Sequence, residues 1–221
     1  MKIAITRHLA TVAFALGLVL PAQAQFLSNF GPGPYAVGTN LGLAPSSADR
    51  EKAVGLTVGS TAMNFDNMRV ILGVDIPGPG GSVFGGIYSS VSGNPGALLE
   101  PFNSIALPDS QPDAAFTFTA TSSFTLAANT SYWFKLDGPA TTNLTAWRSL
   151  ASAPTAGAGA TYDGYRFSSD GGATWAGSGT FNVVEINVTP VPEPASLVLM
   201  GLGLSVVSTW VARRRRAVPQ A

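Results

Sequence analysis

No stretch between residues 25 and 190 sustains the 3.6-residue apolar period of an amphipathic helix. What recurs is alternation of apolar and polar residues between clusters of turn formers, which limits this region to an all-β fold. Phe116-Thr117-Phe118-Thr119 and Phe124-Thr125-Leu126 alternate. Tyr132, Phe134 and Leu136 share one face of a strand, and Trp133 and Lys135 share the other. Val184, Ile186 and Val188 oppose Glu185 and Asn187 in the same way. Earlier strands are expected at 53–58, 68–74, 82–88 and 98–105. The breaks fall at Gly59-Ser60, Pro77 to Gly81, Gly93 to Gly96 and Pro108-Asp109. Pro101 marks its strand as an edge or a bulged strand, and Ala151 to Ala160 reads as a surface loop. The expected architecture is an antiparallel β-sandwich, jelly-roll-like, over 25–190.

Both ends depart from this pattern. Lys2 and Arg7, an apolar stretch from Leu9 to Leu20, and Ala22-Gln23-Ala24 have the order of a secretory signal peptide over 1–24. Cleavage after Ala24 would leave Gln25 as the first residue. At the other end Ala195 to Ala212 is an uncharged run of eighteen residues, followed by Arg213, Arg214, Arg215 and Arg216. As a helix it would measure about 27 Å, enough for one short membrane span. Pro192 and Pro194 set its start, and the arginines hold the far end in the cytoplasm. Gly201 and Ser205 form a small-xxx-small pair in that span.

Composition narrows the chemistry. The single histidine, His8, lies in the signal segment, and there is no cysteine. Thiolate nucleophiles, histidine bases and His or Cys metal sites are therefore excluded from the mature domain. No disulfide can form. Six bases face twelve acids between residues 25 and 194, about −6, so no basic surface is expected to take nucleic acid. No calcium-loop spacing appears, and no metal or cofactor is expected. Asn129, Asn143 and Asn187 begin Asn-x-Ser/Thr triplets, the pattern of a eukaryotic glycan acceptor, to which no role is assigned.

The C-terminal order of Pro192-Glu193-Pro194, a hydrophobic helix and an arginine cluster resembles the PEP-CTERM sorting signal of Gram-negative bacteria. That resemblance covers 191–221. It implies recognition of Pro192, Glu193 and Pro194 by an exosortase, and company with exopolysaccharide production. It also implies an inner-membrane anchor with the domain in the periplasm, and surface or matrix delivery after processing. Asn29-Phe30-Gly31-Pro32-Gly33, Val83 to Tyr88, Gly93 to Glu100 and Leu126 to Phe134 together resemble the choice-of-anchor exported domains of type R. These are defined by their anchor and imply location without a shared activity.

Ser168, Asp170, Gly172, Thr174 and Trp175 fit S-x-D-x-G-x-T-W and resemble the Asp-box of sialidases. There the box is structural, and the local logic agrees. Asp170 can accept turn amides, the glycines can take φ > 0, and Trp175 can pack over the hairpin. Trp133, Trp147, Tyr162 and Tyr165 are the candidates for surface glycan contact, the other possibility being that they fill the core. Asp66, Asp75, Asp163, Asp170 and Glu185 could supply a hydrolase with an acid pair, but no spacing nominates one. Asp49-Arg50-Glu51-Lys52 reads as a solvated turn that keeps Lys52 charged, and Lys135 as a side chain reaching solvent. No catalytic residue is assigned. The expectation is a non-enzymatic surface or matrix protein, with a glycan-binding module as the alternative and a glycoside hydrolase as the weaker one.

The topology has a direct test. A reporter fused after Ala221 should be active only in the cytoplasm, and one fused at Pro190 only outside it. Periplasmic activity of the first fusion would reverse the orientation.

Overall fold

A computed structural model of the chain describes residues 24–43, 48–76, 81–138 and 144–191. These residues contain no helix. The strands run β1 (Ala24–Ser28), β2 (Ala36–Leu43), β3 (Asp49–Val58), β4 (Met63–Ile76), β5 (Gly81–Val91), β6 (Asn94–Pro101), β7 (Ile105–Leu107) and β8 (Ala114–Phe118). They continue with β9 (Phe124–Leu126), β10 (Ser131–Asp137), β11 (Leu144–Leu150), β12 (Thr155–Ala156), β13 (Ala160–Ser168), β14 (Ala176–Ser178), β15 (Phe181–Asn182) and β16 (Val184–Pro190). The signal segment before Ala24 and the apolar run with its arginines lie outside the described residues.

Every ladder between named strands is antiparallel. One group follows the order β6-β5-β10-β3-β13-β14, with β7 beside β5. The other follows β12-β1-β16-β4-β11-β2, with β8 and β9 on β4 and β15 on β11. A short pairing of β2 with β3, at Gly42↔Arg50 and Leu43↔Asp49, joins the two groups. Their inward faces meet in one core. Val54, Leu56 and Val58 of β3 and Phe134 and Leu136 of β10 belong to the same buried cluster as Met68, Val70 and Leu72 of β4. The Phe65 and Phe134 rings touch across it at 5.6 Å. Each such side chain contributes about 1.5–3 kcal/mol by leaving water.

Most predicted strands lie inside observed ones. The exceptions come from turns. The break expected at 93–96 is a two-residue turn at Ser92 and Gly93, both with positive φ, and Asn94 already pairs with Val91. The run at 98–105 divides into β6 and β7. β6 pairs only with β5 among the described residues, and its ladder is bulged, which is where Pro101 can be accommodated. The expected loop at 151–160 carries β12, paired to β1.

Asp49 to Lys52 is not a solvated turn. It is the first part of β3, a central strand flanked by β10 and β13. Central position outweighs local polarity there: Glu51 is 3% exposed and Lys52 fully covered.

Trp133 shows how the outer face of this group is closed. It points away from the core cluster yet is only 1% exposed. Its six-membered ring lies on Gly55 of the neighbouring strand, where a Cβ would sit 2.8 Å from the ring. The Arg166 guanidinium lies over the indole at 5.2 Å, and Nε1 donates to Ser90 Oγ at 3.2 Å. Gly55→Ala should therefore displace the indole and lower unfolding free energy by about 1–3 kcal/mol. Urea denaturation followed by tryptophan fluorescence would show this, and an unchanged midpoint would refute it.

Candidate functional site

Of the four aromatics nominated for glycan contact, three are withdrawn from the surface. Trp133, Trp147 and Tyr165 are buried, and only Tyr162 is half-exposed. Trp147 donates from Nε1 to Val183 O at 2.8 Å, Tyr165 donates its hydroxyl to Asn182 O at 2.5 Å, and the two rings meet edge to face. Apolar bodies with satisfied polar tips are core residues. They offer no face to a sugar ring.

The turn after β13 behaves as the sequence suggested. Asp170 accepts the Thr174 amide at 2.9 Å on Oδ1 and the Thr174 hydroxyl at 2.6 Å on Oδ2, and Ser168 Oγ donates to Oδ1 at 2.7 Å. Those donors, Thr174 foremost, hold its carboxyl down at about 2. Gly171 and Gly172 have φ of 66° and 82°, and a Cβ on Gly172 would lie 3.6 Å from the Trp175 ring. The Gly172 amide donates to Ser168 Oγ at 2.9 Å. The carboxylate is used up by its own turn.

The nominated acids do not converge. Asp75 pairs with Arg148 at 2.6 Å, Asp163 accepts from Thr57 at 2.7 Å, and Glu185 pairs with Arg69 at 2.8 Å. Asp66 takes the Thr189 hydroxyl at 3.3 Å. No group of three His, Cys, Asp or Glu side chains among the described residues is placed to hold a metal ion.

What sequence reasoning missed is a buried charged array on the outer face of β3. The register sets Glu51 opposite Asp137 of β10, with Lys135 one diagonal away, opposite Ala53. Lys135 Nζ binds Glu51 Oε1 at 2.5 Å and lies 4.8 Å from the centre of the Tyr88 ring. It is thus held within the sheet face and does not reach out to water. Burial pulls its pKa down, but the Glu51 carboxylate and Tyr88 together outweigh burial and the net shift is upward. Asp137 is pushed up to about 7, first by burial and then by Glu51. Glu51 Oε2 is buried with no hydrogen-bond partner. An Asp137 carboxyl that keeps its proton toward neutral pH can donate to Glu51 and answer that need. The signal available in sequence was the alternation of Lys135 and Asp137 with the core residues of β10. It could not say that β3 would bring a second acid opposite.

On the inner face of the same strand Lys52 lies beneath Tyr165, its Nζ 5.1 Å from the ring centre. It donates to Ser178 Oγ and, at 3.2 Å, to Thr180 O. Burial lowers its pKa to about 8, opposite to the charged-form preference expected from its sequence neighbours.

The last strand leads directly to the tail. Pro190 pairs with Met63, and the Val191 amide donates to Ala62 O at 3.1 Å. β1 lies antiparallel beside β16, with Ala24 opposite Val188, so the start of β1 and the exit to the tail share one end of the sheet. Residues 190–216 match the PEP-CTERM protein-sorting motif. This is an exported protein processed by an exosortase at the membrane. Pro192, Glu193, Pro194 and Arg213 to Arg216 fall within the match, though beyond the described residues. No curated protein and no solved structure matches the chain.

The acid pair sets a pH response. The folded state holds the Asp137 proton up to about pH 7, whereas an unfolded chain releases it near pH 4. Across that window the folded form binds the extra proton, so this residue's contribution to stability declines as pH rises and levels off above 7. Asp137→Asn cannot titrate, and its amide can donate to Glu51. In urea unfolding of the processed protein, the substitution should raise stability at pH 8 relative to wild type and leave less difference at pH 4. An equal pH response in both proteins would contradict this account.

Proposed function

We propose that the protein is a non-enzymatic surface or matrix component that reaches the cell exterior through exosortase processing and associates there with extracellular polysaccharide. The observation that carries this reading is the sorting motif at 190–216, which begins within one strand residue of the folded domain. The signal segment places the domain across the inner membrane, and the arginine cluster retains the tail on the inner side until Pro192-Glu193-Pro194 is processed. The antiparallel domain, a β-sandwich of the choice-of-anchor kind in this reading, is the exported cargo. Its mature residues contain neither histidine nor cysteine. The acids first considered for hydrolysis are occupied by Arg148, Thr57, Arg69, Thr189 or a turn. These features support a structural or binding role in preference to catalysis. A glycan-binding role cannot rest on Trp133, Trp147 and Tyr165, because their faces are covered.

Replacing Pro192-Glu193-Pro194 with three alanines should stop maturation without preventing membrane insertion, because the apolar run begins after the motif. Intact mass spectrometry of protein from a host with the processing enzyme would show the wild type shortened near Pro194 and the variant ending at Ala221. Full-length wild type in that host would count against the proposal.

A further inference from the structure

Period-two alternation separates the four charges at the start of β3. Asp49 and Glu51 share one face, and Arg50 and Lys52 share the other. The cationic face adjoins a cleft of about 290 Å³ formed by β2, β3, β13 and the segment from β14 to Thr180. Arg50, Thr39, Asn40, Ser178 and Thr180 line it, and the half-buried Phe167 adds an aromatic wall. Among the described residues, no Asp or Glu lines this cleft.

Its positive charges are uncompensated. The Arg50 side chain forms no ion pair and no hydrogen bond among the described residues, in contrast with Arg69, Arg148 and Lys135, each of which holds a carboxylate. Lys52 is fully buried just behind the lining, and its partners are the Ser178 hydroxyl, the Thr180 carbonyl and the Tyr165 ring. A buried ammonium served only by dipoles is costly, which the drop in its pKa reflects. Asn40 adds a buried side-chain oxygen with no donor. The cleft therefore lacks an anion and a hydroxyl donor, and the nearest acids on β3 point through the opposite face of the sheet.

We propose that this cleft binds the carboxylate of an acidic sugar, with Arg50 as the direct ligand and the Lys52 ammonium held behind Ser178 and Thr180. A guanidinium fork suits a planar carboxylate. Ring hydroxyls of the same residue meet Thr39, Asn40 and Thr180, and Phe167 supports an apolar sugar face. The volume, at the small end of ligand sites, suits one sugar unit of a longer chain. The assignment rests on the polysaccharide association proposed above and names the class of polymer.

Full-length protein in detergent can be titrated calorimetrically with oligogalacturonate and with a neutral oligosaccharide of the same length. Wild type should bind the acidic oligomer and not the neutral one. Arg50→Gln should weaken binding about tenfold or more, the scale of one charge-assisted contact. Lys52→Met keeps the stem and removes the charge, and should also weaken binding. Arg69→Gln, which removes the same charge from another part of the surface, should leave binding unchanged. Circular dichroism would verify that each variant is folded. Equal affinity of folded Arg50→Gln and wild type would overturn the cleft assignment. So would equal weakening by Arg69→Gln, which would indicate a diffuse charge effect. Binding of the neutral oligomer alone would overturn the cleft and leave polysaccharide association standing. Absence of binding to either oligomer would overturn both.

Discussion

Everything in this fold depends on β3 being accepted as a central strand in spite of four consecutive charges. Its backbone groups are satisfied by β10 on one side and β13 on the other, an arrangement that an exposed turn would forgo. Alternation then decides where the charges go. Glu51 meets Lys135 and Asp137 on the outer face, and Lys52 meets a hydroxyl, a carbonyl and an aromatic ring on the inner one. Beyond Lys52 the same inner face continues as Val54, Leu56 and Val58 in the core. One strand thus anchors the apolar interior at one end and carries an ionic array at the other.

The two faces solve the burial of charge differently. On the outer face the solution is pairing: Lys135 neutralises Glu51, and Asp137 escapes a third buried charge by keeping its proton toward neutrality. On the inner face there is no acid to pair with, and the desolvated Lys52 moves toward its neutral form. That imbalance is the physical basis for an anionic ligand. The paired outer array carries no such demand, although it holds the perturbed Asp137.

Aromatic placement follows from the same layering. Three of the large rings are enclosed: Tyr165 and Trp147 within the core, and Trp133 between Gly55 and Arg166 on the outer side. Turn carboxylates work locally. Asp170 closes its own turn, whereas Glu100 of β6 reaches across to Thr121 and Ser122, accepting both hydroxyls and the Ser122 amide. Neither acid is left available for a ligand.

The sequence by itself determined the all-β class, because alternation such as Phe124-Thr125-Leu126 leaves a chain no other regular way to bury one face. It also determined the C-terminal sorting motif and the Asp170 turn, whose donors lie within four residues of the acid. These features are local, and local geometry is readable from spacing. Only the tertiary structure decided which polar residues are buried and which aromatics are exposed. Asp49 to Lys52 has the composition of a turn, and nothing nearby in the chain reveals that β10 and β13 will flank it. Glu51 and Asp137 stand 86 positions apart, and Lys52 and Ser178 stand 126 apart, until the sheet brings them together. Charge, desolvation and access at such sites are set by neighbours distant in the chain, and these depend on strand order, which the period of two does not encode.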